Sequence, residues 1–196
     1  NGITDETADV VKYGGFYIGR YEAGIPEGDT SPSNKTGIPV TKKGVTVWTG
    51  IQYGNAKASA ESMISNEYVQ TGLITGKAWD TICQFIGGSL SSINASASLT
   101  DSRYYGNYRD SLAPANENSG NKRTAGFNEN WKIKNIYDLA GNVWELTSEI
   151  ANSSDLINRG GSYYNGGIDD PVLYRLCEGA SYTDGDTGFR PRLYIK

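Results

Sequence analysis

One stretch of this sequence has a clear helical period, and its isolation limits what the chain can fold into. In "GKAWDTICQFIG", Trp79, Ile82, Cys83 and Ile86 recur at i, i+3, i+4 and i+7, which predicts an amphipathic helix. Thr75 is placed to cap its start, and Gly87-Gly88 to stop it. A second helix is predicted upstream in "NAKASAESMIS", which carries Ala and Glu at helical density. From about Ser89 to Asn130 the chain is Ser, Asn, Gly, Ala and Tyr with little period. Its tyrosines would be costly to leave in water, so this is an irregular excursion packed on the domain rather than a linker.

Short β-rich runs complete the pattern. "GGFYIGRYEAG" alternates apolar and polar residues between glycines, "IPEGDTSPSNKTG" reads as a loop, "IKNIYDLAGNVWELTSE" as a turn and strand, "VLYRLC" as a strand, and "GFRPRLYIK" as the last strand. No repeat is visible. Two early helices, a few scattered strands and long loops indicate an α+β fold with a small twisted antiparallel sheet. At 196 residues the expectation is a single domain over 1–196, which could stand as the C-terminal part of a longer protein.

The most informative count is zero: there is no histidine. This removes the commonest general base, the commonest metal ligand and the partner that activates serine and cysteine nucleophiles. Serine–histidine triads and histidine-ligated iron or zinc are excluded. The formal net charge is −4 and the basic residues are scattered, so no nucleic-acid partner is expected. No apolar run approaches the ~18 to 20 residues of a bilayer span, and "NGITDETADVVKYGG" lacks the pattern of a signal peptide, so the chain reads as soluble, with no membrane insertion. The two cysteines make no disulfide scaffold. Both sit in apolar patterns and are expected as reduced, buried thiols.

In order and spacing, "YIGRYEAG", "YDLAGNVWELTSE", "RGGSY" and "GFRPRLYIK" resemble the formylglycine-generating enzyme (sulfatase-modifying factor) family, over Tyr17 to Lys196. The resemblance implies a C-type-lectin-like fold. Read physically, Gly160 and Gly161 suit close backbone passage or positive φ, and Arg159 and Arg190 can satisfy loop carbonyls or carboxylates. Trp79, Trp144 and Phe189 are core rings.

The family's oxidases carry a cysteine pair after RGGS, where copper binds. Laid on that pattern, "RGGSYYNGGIDDPVLYRLC" puts Tyr164, Asn165 and Gly166 at the first cysteine and Asp169 and Asp170 near the second. Neither thiol is there, and a lone thiol cannot supply the soft ligand set of Cu(I). Copper, iron and zinc are not expected. The segment resembles instead the variable proteins of diversity-generating retroelements in phages, archaeal viruses and bacteria, which share this fold and are diversified between RGGS and GFR at Asn-coding codons. Adenine mutagenesis of such codons cannot give Lys, Gln, Met, Trp or Glu, and from Tyr163 to Asp186 only Glu178 belongs to that group.

The resemblance thus implies a non-enzymatic ligand- or receptor-binding protein. The alternative is an oxidase with an atypical residue set. The expected binding surface is Tyr163, Tyr164, Asn165, Ile168, Asp169, Asp170, Tyr182, Thr183 and Asp184, with Tyr104, Tyr105 and Tyr108 as neighbours. Its expected partner is a protein or glycan on a target cell, and its expected location a virion or cell surface. In the resembled enzymes a structural Ca²⁺ is held at the positions of Asp138, Gly141, Val143 and Glu145. Oxygen ligands of this kind suit calcium, and the competing reading is that Asp138 caps a turn while Glu145 pairs with an arginine. The sugar–calcium signatures Glu-Pro-Asn, Gln-Pro-Asp and Trp-Asn-Asp are absent.

Overall fold

A computed structural model describes Lys12 and residues 14–115 and 119–196. Its α-helices are α1 (Tyr53–Ser62) and α2 (Gly76–Gly87), and its strands are β1 (Tyr17–Ile18), β2 (Val69–Leu73), β3 (Lys132–Ile133), β4 (Ile136–Tyr137), β5 (Trp144–Ile150), β6 (Asp155–Arg159), β7 (Arg175–Gly179), β8 (Thr187–Phe189) and β9 (Pro191–Ile195). This is the α+β class read from the sequence. No helix among the described residues is long and apolar enough to cross a membrane.

Helix α2 forms as its period predicts. Thr75 Oγ1 accepts the Ala78 N–H at 3.0 Å, and Trp79, Ile82, Cys83 and Ile86 are buried against Tyr105, Tyr108, Ile133, Leu139 and Val172. Trp79 also donates its indole N–H to the Val172 carbonyl at 2.9 Å, giving its polar edge a partner in the core. Helix α1 starts two residues before the predicted stretch and stops three before its end. It buries the small residues Ala56, Ser59 and Ala60, which let it lie close to β2.

Strands form three sheets, β1-β9-β2, β3-β4 and β7-β6-β5-β8, rather than the one expected. One pair is parallel: β8 runs beside β5, aligning Trp144 with Thr187 and Leu146 with Phe189. The chain leaves β7, crosses over residues 180–186 and enters β8 in the direction of β5, so "GFR" lands next to "WEL". Of the predicted strand "GGFYIGRYEAG", Tyr17–Ile18 is regular and Gly24 makes isolated bridges to Val40 and Val47.

Both motif arginines are buried. Arg190 donates Nε to both Glu145 carboxylate oxygens, at 2.9 and 3.0 Å, and Nη2 to Oε1 at 2.6 Å. Its remaining donors reach the carbonyls of Gly19 and Tyr137, each at 2.9 Å. One guanidinium therefore joins the end of β8 to β5, the β1 turn and β4. Arg159 pairs with Asp80 of α2 and gives Nη1 to the Leu173 carbonyl at 3.0 Å. Removing one member of a fully buried pair strands the other charge. Arg190→Met is expected to cost about 3–5 kcal/mol in urea unfolding, and the double variant Arg190→Met/Glu145→Met less than the single one.

The two thiols differ, which corrects the sequence reading. Cys83 is buried, and burial pushes its thiol pKa up to about 12. Cys177 is exposed, because β7 is the edge strand and its face carrying Arg175, Cys177 and Gly179 is open. A native-state titration with a disulfide reagent should label one thiol rapidly and the second only after denaturation. Slow labelling of both would contradict the exposed edge.

Candidate ligand-binding surface

The turn after β6 needs its glycines. Gly160 and Gly161 have φ of +94° and +76°, and a Cβ on Gly161 would lie 2.4 Å from the Asp170 carbonyl and 2.6 Å from the Tyr108 ring. Beyond them Ser162 is buried, with Oγ 2.7 Å from Asn165 Oδ1 and 2.8 Å from Asp186 Oδ2. That serine clamps the first loop, 162–170, to the second, 180–187.

Backbone contacts and framework side chains hold both loops. In the first, Gly167 accepts from Ser102 N–H at 2.9 Å, Asn165 accepts from Arg109 N–H at 2.9 Å, and Gly167 N–H donates to Asp110 at 2.8 Å. In the second, the carbonyls of Asp184 and Asp186 accept from Gly50 and Trp144 N–H, each at 2.8 Å. Lys122 reaches the Gly185 carbonyl and Gln52 the Ser181 carbonyl, each at 2.9 Å.

Most of the predicted surface residues are left facing water. Tyr164 is 70% exposed, Ile168 50% and Tyr182 44%. Asp169, Thr183 and Asp184 are exposed, and Tyr163 and Asp170 half-buried. Tyr163 meets Tyr164 edge-on at 6.4 Å, and its hydroxyl pKa is raised by burial and then by Asp186 and Asp184, so the two loops share one surface. Asn165 has a different task, since its side-chain Oδ1 accepts the Ser162 N–H at 3.0 Å and fixes the turn.

Of the expected neighbours, Tyr104 is half-buried, but Tyr105 and Tyr108 are core residues. The Tyr105 hydroxyl donates to the Ser98 carbonyl at 2.7 Å, and that of Tyr108 to the Gly160 carbonyl at 2.6 Å. They hold the surface from beneath. Three further residues border it: Tyr174, 42% exposed and tilted on Trp144 at 6.0 Å, and the half-buried Glu178 and Asp186, which bind the framework groups Asn158 and Ser162. Burial raises both carboxyl pKa values, with Asp186 and Asp184 adding like-charge repulsion at Glu178. Burial and then Asp169 do the same at Asp170. The alternation of "YRLCEG" could have shown that Tyr174 and Glu178 share a face, had β7 been read as an edge strand.

At the four positions that the resemblance assigns to calcium, Arg190 already engages Glu145, and Asp138 keeps one carboxylate oxygen without a partner. Both Glu145 oxygens are on Arg190, and Asp138 gives one oxygen to the Gly126 N–H at 2.6 Å. Asp138 Oδ1 and Glu22 Oε1 are buried without hydrogen-bond partners. Gly141 and Val143 sit in the turn before β5, where a Cβ on Gly141 would strike Asn107. Arg190 supplies the positive charge at Glu145. Thermal unfolding in EDTA and in millimolar calcium tests the site, and an unchanged midpoint would leave Arg190 as the counter-charge of Glu145. A rise with calcium would mean that an ion binds the folded state.

No family model matches the chain, and no curated protein does. Solved structures do. Treponema denticola variable protein 1 superposes with a TM-score of 0.59 at 17% identity, covering 90% of this chain and 84% of that one. CarF gives 0.56 at 16%, covering 92% and 87%. PvdO from Pseudomonas aeruginosa gives 0.54 at 14%, covering 92% and 80%. At these identities the likeness is one of architecture: the chain has the C-type-lectin-like fold of the formylglycine-generating-enzyme type, a fold it shares with a variable protein.

Proposed function

We propose that this chain is a non-enzymatic binding protein that displays a changeable surface on a C-type-lectin scaffold, as a retroelement-diversified variable protein does. The observation that carries the reading is the division of labour between Ser162 and Thr187. Main-chain groups and the buried Ser162 hold the loops, while Tyr164, Ile168, Asp169, Tyr182 and Thr183 project outward. Exposed positions of this kind change with little effect on stability, usually within about 0.5 kcal/mol each. Tyrosine suits such a surface because it offers large amphipathic area with two rotatable bonds.

Two further points support it. Where the resembled oxidases place their thiol pair, this chain has Tyr164, Asn165, Gly166, Asp169 and Asp170. Glu178, the residue that adenine mutagenesis cannot make, accepts the Asn158 amide at 2.7 Å, which suits a framework position. The partner we propose is a protein or glycan on a target cell, met by this chain from a virion or cell surface.

Replacing Tyr164, Ile168, Asp169 and Tyr182 together by alanine should leave a cooperative unfolding transition and abolish capture of the partner from host surface extracts. Unchanged capture by the folded variant would place the site elsewhere. Incubation with copper and a cysteine-containing peptide should yield no formylglycine, and conversion of cysteine to aldehyde would overturn the non-enzymatic reading.

A further inference from the structure

Charge is distributed unevenly in this chain. Of 22 acidic residues, Asp169, Asp170, Glu178, Asp184 and Asp186 fall between Ser162 and Thr187, and of 18 basic residues only Arg175 does. This leaves 17 of each sign elsewhere, so these 26 residues carry the whole net charge of −4. The structure sharpens the asymmetry. Arg175 lies on the opposite face of β7 from Glu178, where it pairs with Glu149 and lies 3.9 Å from Asp80. It does not offset the acids on the display face.

Nearby cations do little more. Arg103 forms a two-pronged pair with Asp101 at 2.8 and 2.9 Å, and Lys122, held on Thr49 and the Gly185 carbonyl, offsets Asp186 alone of the five acids. Between the carboxylates stand the exposed Tyr164, Tyr174 and Tyr182, whose ring faces attract cations. A separate feature lies beneath. Asn158 is 1% exposed, gives its amide N–H to Glu178 at 2.7 Å, and leaves its own buried Oδ1 without a partner. That hydrogen bond fixes the Glu178 carboxylate from beneath.

Resting on the reading of these loops as the binding surface, we infer that the partner is cationic: a protein segment bearing lysine or arginine side chains that dock between the tyrosines and the carboxylates. Such a partner meets complementary charge at the rim and aromatic area at the centre. Nucleic acids and anionic glycans carry the wrong sign. A purely apolar partner would leave half-buried carboxylates desolvated without a counter-charge.

The test uses labelled octalysine, octaglutamate and heparin with the intact chain, together with three variants. The first is Asp169→Asn/Asp170→Asn/Glu178→Gln/Asp184→Asn, which keeps side-chain shape. The second removes equal charge outside the loops, at Glu27, Asp29, Glu61 and Glu67. The third, Tyr164→Ala/Ile168→Ala, keeps the charge. Octalysine should bind the native chain, weaken roughly tenfold or more in the first variant, weaken far less in the second, and be released by salt at Debye lengths below about 10 Å. Equal weakening in the first two variants, no octalysine binding, or retention of octaglutamate or heparin on the loops would overturn the inference. The underlying surface reading is judged separately. If a peptide selected from a random library is lost in the third variant while octalysine never binds, the surface stands and its cationic partner does not.

Discussion

The pair between Arg190 and Glu145 is the constraint from which the rest of the molecule follows. Both side chains are out of water, and the guanidinium also serves the Gly19 and Tyr137 carbonyls. The segments around Gly19, over 137–145 and around Arg190 must come together before this charge has enough partners. A buried pair adds little net stability over a well-packed apolar substitute, but it strongly penalises arrangements that leave either member alone. The short strands here need such a device. Strands of two to seven residues have too few ladder bonds to set their own positions, and β8 in particular has three residues with which to find β5.

A second arginine makes the corresponding tie on the other side. Arg159 connects the end of β6 to Asp80 of α2 and to the Leu173 carbonyl, while Gly160 and Gly161 turn the chain in a space that admits no side chain. The surface loops therefore start and end at points fixed by buried charge and by glycine, and Ser162 ties one loop to the other. Side chains projecting between those points do not hold the fold together. The same separation that frees them from structural duty lets them gather charge and aromatic area that would be costly in the interior.

How much of this was legible in the sequence depended on whether the signal was local. Helix α2 was fully legible, because cap, period and stop lie within fourteen residues, and the RGGS and GFR arginines were read correctly as structural. Tyr105 and Tyr108 were misplaced because their segment has no period. Their burial comes from contact with α2 and with the RGGS turn, neither of which is near them in sequence. Cys177 was misread for the opposite reason: "VLYRLC" looks like a core strand, and only the strand order shows that β7 is an edge. The parallel pairing of β5 with β8 left no local mark. Glu145 could be read as a calcium ligand or as the partner of an arginine, and in the structure both of its oxygens accept from Arg190.

The central claim is that the fold is held by the anchors and not by the residues displayed between them. It is tested most directly by randomising Tyr164, Ile168, Asp169, Tyr182 and Thr183 together and scoring the library for protease resistance, beside a second library randomised at Ser162, Asn165 and Asp186. The account predicts that most members of the first library stay folded and most of the second do not. Equal loss of folding in the two libraries would contradict it.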